Sequence, residues 1–548
     1  MKKVKKILLI LSVVLYSAAL FSCGNEDKGD GTGHMYDVPL LGNPSSLDPQ
    51  FADDPSSNTV IKNLYSGLME TDSSGNVVCR NAESYTVSDD GKMYTFKLRE
   101  DNFWFFDEND DDIIDKDEYF PVTAQDYAFA LRRVLDPQMK SPYADDFMCI
   151  SNAPLVYSGA ESPASLGILA ADSTTLIIAL DQPNADFLRL MSTAPSYPCR
   201  EEFFEQTKGR YGLDDRSVMS NGAFFVRQWF YDPYGSNNIL YMKRNDANWS
   251  ETFDIFPSFL SFTIEKSEDD IRELFKDDEI ECFTTLNSSH YNPDKYIIDG
   301  KSAITLGLIF NPEDECYSNA NMQRALSLAI DRESIAKELN GDLQIARGII
   351  PPSVMIGGKS YREIVPDAEL AKFDSEAALD YYEEAKSELD INTVETVKII
   401  VNGETMDSTY LHKITQKWQE LFGSYVGIED LSADEFESRL ESGDYSIALY
   451  PLRGRYASPT SFFQEFEKRD FLKESLPEEK FTPTLTSCGS ESELIAAYSS
   501  SERFITENFK FIPLFYKNSY LIADSENEQI AYDPFSGVVD YRLALNYD

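Results

Sequence analysis

The sequence predicts a mixed α/β protein that is divided into several domains. The chain has 548 residues, whereas a typical domain has roughly 150. Hydrophobic residues make up 42% and charged residues 26% of it, which is ordinary for proteins that bury large cores. Segments with the two-residue period of strands alternate with segments that have the period of helices, and no internal repeat is evident. We therefore expect about three or four globular domains that combine helices with sheets.

In the first half of the chain, local signals predict two strands and a helix. Apolar and polar residues alternate over 94–99, which predicts a half-buried strand. A helix is predicted over 123–135, because Thr123 can cap its start and Pro137 cannot continue it. A second strand is predicted over 174–180.

The second half of the chain shows strands and helices in alternation. Apolar residues at helical spacing predict a long helix over 320–339 and another over 411–421, which Gly423 ends. Strands are predicted over 397–401 and 446–452, on either side of that second helix. This order of elements favours an α/β architecture.

The N-terminus has the layout of a bacterial export signal. Four lysines precede an apolar run over 7–22, which is too short for a comfortable transmembrane helix. The run ends in Leu20-Phe21-Ser22-Cys23, which resembles the lipobox of bacterial lipoproteins. Residues 1–22 are therefore predicted to be a signal peptide, Cys23 the lipidated first residue of the mature chain, and 23–35 a flexible tether. The alternative is a plain signal peptide with an incidental cysteine.

The charge and the composition argue against several classes of function. Acidic residues number 94 against 49 basic ones, and the net charge of −45 argues against nucleic acid as a partner. Only three histidines occur, which argues against a zinc site of three imidazoles. No nucleophile elbow or metalloprotease helix is present, so no enzyme is predicted. The six cysteines after Cys23 lack Cys-x-x-Cys spacing, and their pairing is left open.

Short motifs along the chain carry a family resemblance. They are Ser46–Pro49, Asn63–Leu68, Ala82–Gly91, Tyr94–Arg99, Pro121–Tyr127, Arg132–Pro137, Ser141–Ala144, Ser220–Phe224, Arg324–Arg332 and Pro459–Phe463. In this order they resemble the extracytoplasmic solute-binding proteins of the oligopeptide and dipeptide ABC-transporter family, family 5. The resemblance extends from near residue 37 to the end of the chain.

The resemblance implies a two-lobed, periplasmic-binding-protein-like fold of class II, with an extra N-terminal subdomain and a discontinuous first domain. The implied ranges are 36–75, 200–305 and 513–548 for domain I, 76–199 for the inserted subdomain, and 306–512 for domain III, the second lobe.

The function implied by the resemblance is that of a lipid-anchored receptor at the outer face of the cytoplasmic membrane. It would capture a peptide or peptide-like solute by hinge closure and deliver it to ABC permease subunits, as a monomer, without enzymatic activity and without a cofactor. Two alternatives stay open: a receptor for a non-peptide solute, anionic or sugar-like, and a sensory or adhesion lipoprotein on the same scaffold.

Candidate ligand contacts lie first in the block Asn221-Gly222-Ala223-Phe224, which in relatives lies beside the ligand backbone. Gly222 would permit close approach, and Asn221 offers a hydrogen-bond acceptor and donors. The alternative is a buried turn with a satisfied asparagine.

Two arginines mark a departure from the family pattern. Relatives carry Trp, two residues, Asp, Tyr, two residues and Pro, and the aspartate pairs with the ammonium group of the peptide. When the chain is aligned on Pro459, that position is Arg455, which cannot neutralise an ammonium group. Arg453 and Arg455 instead suggest a carboxylate or phosphate on the ligand, unless they pair with acids of the chain. Asp53 and Asp54 are candidates for supplying the lost negative charge.

Four aromatic residues near these blocks are candidates for stacking on the ligand, although each is more often part of a core. They are Phe129, Phe224, Tyr450 and Tyr456.

An acidic insertion over 107–118 predicts a structural calcium site outside the ligand cleft. Its oxygen ligands would follow the order of an EF-hand loop. They are Asp107, Asn109, Asp111, Ile113 through its carbonyl, Asp115 and Glu118. Asp112 stands where the turn requires glycine, and the flanks do not predict paired helices. The alternative is a solvated acidic loop.

Overall fold

The structure is a computed structural model that describes residues 33–547 apart from a few short stretches. The stretches left out are residues 73, 110–114, 116, 236, 247–253, 340–342, 369, 407, 474–480, 482–484 and 486. The described residues form two four-stranded sheets and one seven-stranded sheet, together with helices and short paired strands.

The first four-stranded sheet contains the start of the described chain. Its strands, in order across the sheet, are Met35–Leu41, Phe259–Glu265, Ile239–Arg244 and Phe224–Phe230. The first two run parallel and the other neighbours antiparallel. Alternate residues of the first strand, Tyr36, Val38 and Leu40, are buried, because successive side chains point to opposite faces of a sheet.

The second four-stranded sheet is antiparallel and packs against the helix Ala124–Val134. Its strands, in order, are Ala82–Val87, Met93–Leu98, Thr175–Ala179 and Ile168–Asp172. The helix begins where the sequence predicts, with a capping box in which Thr123 N donates to Asp126 Oδ2 over 2.8 Å. The predicted strands over 94–99 and 174–180 are confirmed within one or two residues.

The seven-stranded sheet combines parallel and antiparallel pairs. Its main path runs through Cys282–Thr285, Ile512–Asp524, Tyr296–Phe310, Ile447–Arg453, Val397–Asn402 and Val426–Leu431, and Leu343–Ile345 pairs with Ile512–Asp524 beside this path. Val397–Asn402 is parallel to both of its neighbours, which agrees with the strand and helix alternation predicted for this half.

The remaining elements are helices and short strand pairs. The helices are Pro55–Leu64, Ala153–Tyr157, Phe187–Leu190, Glu201–Gln206, Glu268–Lys276, Ala320–Leu328, Arg332–Ala336, Tyr361–Ile364, Ser375–Glu388, Leu411–Phe422, Ala433–Ser442, Pro459–Lys468, Asp470–Lys473 and Glu491–Glu507. The strand pairs are Met69–Thr71 with Val77–Cys79, Phe103–Phe105 with Tyr119–Pro121, Met355–Ile356 with Lys359–Ser360, Asn527–Glu528 with Leu545–Asn546, and Ala531–Asp533 with Val538–Asp540. Among these described helices, none has the length and apolar character that crossing a membrane requires.

Two separate hydrophobic cores define two lobes. The first lobe is built on a core of residues from 36–282 and 521–544, and the second on a core from 303–515 that also takes in Phe535. The sheet of the predicted 76–199 subdomain shares the core of the first lobe. A small cluster around Phe275 and Tyr520 lies apart from both cores. The domain boundaries given by the resemblance stay a prediction.

The single long helix predicted over 320–339 is wrong. The structure has two helices there, Ala320–Leu328 and Arg332–Ala336. Asp331 caps the second one by accepting from Ser334 N over 3.0 Å, and this local bond competes with helix continuation. The break also turns Arg332 toward the sheet, where its Nε donates to the carbonyl of Pro513 over 2.9 Å.

Other local predictions are confirmed. The helix Leu411–Phe422 ends at Gly423, whose φ of 68° is the left-handed conformation that glycine adopts without strain.

The six cysteines that the structure describes are free thiols.

Candidate functional site

Two adjacent antiparallel strands, Tyr296–Phe310 and Ile512–Asp524, connect the lobes. The second half of Tyr296–Phe310 also pairs with Ile447–Arg453 of the second lobe. The pairing of the two connecting strands shifts between Ser302 and Ile304 and again between Leu306 and Gly307, so the ladder is irregular where it passes from one lobe to the other.

Asp146 of the first lobe is held by two cations of the second. Arg455 Nη1 lies 3.5 Å from its Oδ2, and Lys468 Nζ lies 3.1 Å from its Oδ1. The Asp146 side chain is only 5% exposed, and the Arg455 guanidinium lies over the ring of Tyr143 at 5.6 Å. Desolvation lowers the pKa of Lys468, and the Asp146 carboxylate opposes that shift. Arg455 therefore has a partner within the chain.

A second contact between the lobes lies at the start of the helix Pro459–Lys468. The helix cap Ser458 donates its hydroxyl to Asp186 Oδ2 over 2.6 Å, and Ala185 N donates to the carbonyl of Cys488 over 2.9 Å. Burial raises the pKa of Asp186, while Arg189 and the Ser458 hydroxyl lower it. The contact combines a charge-assisted hydrogen bond with a backbone one.

Arg453 lies close by and differs from Arg455. It ends the strand Ile447–Arg453 opposite Ile304, where the pairing of the connecting strands shifts. The residue is exposed, and its side chain makes no hydrogen bond or ion pair with any residue that the structure describes. Desolvation nevertheless lowers its pKa, with Tyr532 of the first lobe opposing the shift. The two arginines predicted as a pair thus have different surroundings.

The block at 221–224 packs inside the first lobe. Asn221 Oδ1 accepts from Ser66 N over 3.1 Å, and its Nδ2 donates to the Ser66 carbonyl over 2.9 Å. Gly222 does permit a close approach, but to the backbone of Leu64, which a Cβ would meet at 2.7 Å. Phe224 is fully buried. The structure gives these residues a packing role, and ligand contact by them stays a prediction.

The other aromatic candidates also have partners within the chain. Tyr450 is buried and donates its hydroxyl to Glu465 over 2.7 Å. Burial raises the pKa of the half-buried Tyr456. Phe129 packs against Phe204 with ring centroids 5.6 Å apart. Of the three, Tyr456 lies closest in sequence to the contacts between the lobes, and its role toward a ligand stays a prediction.

The two predicted acids of the 53–54 pair have separate roles. Asp54 caps the helix Pro55–Leu64 by accepting from Ser57 N over 2.8 Å. Asp53 is exposed and lies near enough to Tyr143 to raise the pKa of that hydroxyl, although burial is the larger cause. Asp53 therefore lies near Tyr143, the ring that the Arg455 guanidinium covers, and its contact with a ligand stays a prediction.

In the described part of the acidic insertion, the Glu118 carboxylate accepts hydrogen bonds from backbone N–H groups. It accepts from Glu108 N over 3.0 Å and from Asp115 N over 3.2 Å. The buried Asp107 lies 4.0 Å from Arg227 Nη1, so a guanidinium offsets part of its charge. Asn109 Nδ2 also donates to Asp115 Oδ2 over 3.5 Å. Four of the six predicted ligands thus have side-chain partners within the chain.

The remaining calcium ligands are only partly described. Asp111 and Ile113 lie outside the described residues, and Asn109 N donates to Glu118 over 3.4 Å. The strands Phe103–Phe105 and Tyr119–Pro121 flank the insertion as a hairpin. In the part of the chain that the structure describes, no group of three or more metal-ligating side chains is arranged for a metal ion. Calcium binding stays a prediction, which melting curves with and without a chelator test.

The comparison with protein families decides the assignment. Residues 76–471 match the bacterial extracellular solute-binding proteins, family 5. This chain belongs to that family. The family 5 protein is therefore an extracytoplasmic transport component and not an enzyme, and it needs no cofactor for activity.

Individual relatives of this family 5 protein are distant but cover most of its length. It is 25% identical to the oligopeptide-binding protein OppA of Bacillus subtilis over 85% of this chain and 84% of that protein. It is 21% identical to the probable deoxycholate-binding periplasmic protein YgiS of Escherichia coli over 86% of each chain. The solved structure of Listeria monocytogenes OppA bound to peptide superposes with a TM-score of 0.70, at 22% identity, over 94% of this chain and 99% of that one. The last comparison shows that the two chains share a fold.

Sequence reasoning missed four residues that join the lobes of this family 5 protein: Asp146, Asp186, Ser458 and Lys468. Ser458 could have been found as a helix cap, because it precedes Pro459 at a helix start. Asp146 and Lys468 are 322 residues apart, and no local pattern connects them.

Proposed function

We propose that this protein captures a peptide or peptide-like solute between its lobes, closes around it, and delivers it to the permease of an ABC importer. The observation that carries the proposal is the set of contacts between the lobes, above all Asp146 with Arg455 and Lys468. They join two bodies that two adjacent strands connect, so they can form on closure and break on opening. The ligand shifts this equilibrium by its higher affinity for the closed state.

The two hydrophobic cores suggest which segments move together as rigid bodies. We propose that 306–512 rotates as one body against 36–75, 200–305 and 513–548, which carry the 76–199 subdomain with them. The hinge is proposed at the pairing shift between Ser302 and Ile304.

The ligand class rests on relatives and on the two arginines. A relative named for oligopeptide binding and a structural neighbour bound to peptide support a peptide. Arg455 stands where the resemblance expects an aspartate, and its guanidinium pairs with Asp146. A guanidinium cannot neutralise an ammonium group, so we do not expect position 455 to bind a free peptide N-terminus. An anionic non-peptide solute is the second candidate, favoured by the exposed Arg453 and by the relative named for deoxycholate.

We propose that Cys23, which lies outside the described residues, carries a lipid that anchors the protein at the outer face of the cytoplasmic membrane. Replacing it with serine should move the protein from the membrane fraction to the soluble fraction without changing solute affinity. Membrane retention of the Cys23→Ser protein would contradict a lipid anchor.

The test of capture combines binding with shape. Calorimetry of the mature protein against peptides with free and acetylated N-termini should find binders whose affinity acetylation hardly changes. X-ray scattering should show a compact monomer when a binder is added. Arg455→Asp should make binding depend on a free amine. Identical scattering with every candidate solute would contradict hinge closure, and chemical conversion of a solute would contradict a pure binding role.

A further inference from the structure

We infer that Arg453 binds a carboxylate of the captured solute and thereby selects acidic ligands over neutral ones. This inference rests on the proposed function, because it requires a solute between the lobes. It names the chemical group that the site recognises, a carboxylate, whether from a chain terminus or from an acidic side chain.

The position of Arg453 is the first observation. It is the last residue of the strand Ile447–Arg453 and lies opposite Ile304, directly beside the pairing shift of the connecting strands. Its electrostatic neighbour Tyr532 belongs to the first lobe. The side chain therefore belongs to the second lobe but lies where the two lobes meet.

The lack of a described partner is the second observation. Acidic residues outnumber basic ones 94 to 49, so acids are readily available to a basic side chain. Arg455, Arg439 and Arg362 of the same lobe each pair with an acid. Arg453 is exposed, and its side chain has no hydrogen bond or ion pair among the described residues.

The surroundings of Arg453 are the third observation. Although the residue is exposed, nearby protein desolvates its guanidinium and lowers its pKa. A partly desolvated charge without a counter-ion is unfavourable, and a carboxylate from the solute would compensate it.

The chemistry of the guanidinium selects the ligand group. Its planar fork of N–H donors matches the two oxygens of a carboxylate, and the resulting bidentate pair is stronger than neutral hydrogen bonds. Arg455 cannot do the same, because Asp146 already holds it. Arg453 is therefore the arginine that can select solutes by their negative charge.

The experiment compares matched peptides. Calorimetry of the mature protein with a free-acid peptide, its C-terminal amide, and versions with Glu or Gln in the chain should show about tenfold tighter binding of one carboxylate-bearing member over its neutral match. The member that shows it identifies the source of the carboxylate. Arg453→Gln should remove the preference, and Arg453→Lys should keep part of it. Arg439→Gln is the control, because Arg439 pairs with Glu429 in the second lobe.

The outcomes are distinguishable. Because Arg453 has no described partner, Arg453→Gln should leave the melting temperature of the unliganded protein equal or higher, whereas a structural role would lower it. A preference that survives in Arg453→Gln, or a wild type that prefers neither the free acid over the amide nor Glu over Gln, would overturn the inference and leave peptide capture intact. If no peptide binds the wild type, the proposed function fails first.

Discussion

At the scale of single residues, what matters is how each charge between the lobes is satisfied. Asp146 has two cationic partners, whereas the Arg453 side chain has no acidic partner among the described residues. Removing one partner of an ion pair costs more free energy when the carboxylate is buried, as it is in Asp146, than when the pair is exposed. Asp146 is therefore the residue on which closure should depend most.

Asp146→Asn should favour the open state and weaken solute binding about tenfold, because Arg455 and Lys468 lose their carboxylate. Calorimetry measures the affinity, and scattering measures the openness of the unliganded protein. Asp145→Asn is the matched control, since Asp145 is the exposed neighbour. Equal losses in both variants would contradict a specific role for Asp146.

At the scale of elements, buried ion pairs tie together motifs that are distant in sequence. Arg133 donates to the carboxylate of Asp48 and to Gln50, and its guanidinium lies 4.1 Å from the ring centroid of Phe204. The motifs Ser46–Pro49 and Arg132–Pro137, which carry part of the family resemblance, thus meet in the first lobe. The residues of these two motifs that contact each other stabilise the packing of the first lobe.

A second buried pair holds the second lobe. Glu502 in the helix Glu491–Glu507 is 0% exposed, pairs with Arg362, and accepts from Ile349 N over 2.7 Å and from Ile350 N over 3.1 Å. The pair fixes a loop and a short helix against the long helix.

Glu502→Gln should lower the free energy of unfolding by about 3–5 kcal/mol, because Arg362 would stay buried without its counter-charge. Urea unfolding measures it. Glu507→Gln, at an exposed position of the same helix, should change stability little. A small change for Glu502→Gln would contradict a large cost for leaving Arg362 buried without its counter-charge.

At the scale of the whole molecule, ion pairs join the C-terminal tail to a segment in the early part of the chain. Arg542 near the C-terminus pairs with Glu70 and with Asp540, and Lys62 lies 2.8 Å from Glu70. Burial alone would raise the pKa of Glu70, but Arg542, Lys62 and Arg80 lower it well below its usual range. The network thus holds the C-terminal tail to the first lobe.

The pH dependence of stability follows from this pKa. A carboxyl with a lowered folded pKa stabilises the protein above its unfolded pKa, here about 4.5, and this contribution is lost as pH falls through the folded value. Glu70→Gln should therefore be less stable than wild type at neutral pH, and the difference should shrink below pH 4.5. Urea midpoints across pH measure it, with the exposed Glu83→Gln as control. A difference that does not change with pH would contradict the assignment.

Much of this protein could be read from its sequence, and the reason is that the signals are local. The cap at Thr123, the left-handed Gly423 and the strand periods each depend on a few neighbouring residues, and the structure confirms them. The helix over 320–339 was predicted wrongly because periodicity continues through Asp331, while the cap and the bond from Arg332 to the sheet break it. Family membership also follows from short motifs in a fixed order.

Only the tertiary structure decided which charges meet. Arg453 and Arg455 are two residues apart and chemically identical, yet only Arg455 meets Asp146, more than 300 residues earlier in the chain. Asn221 satisfies its amide on Ser66, and Glu118 satisfies its carboxylate on backbone N–H groups. A sequence shows which groups need partners, but the packing of distant segments determines which partner each one finds.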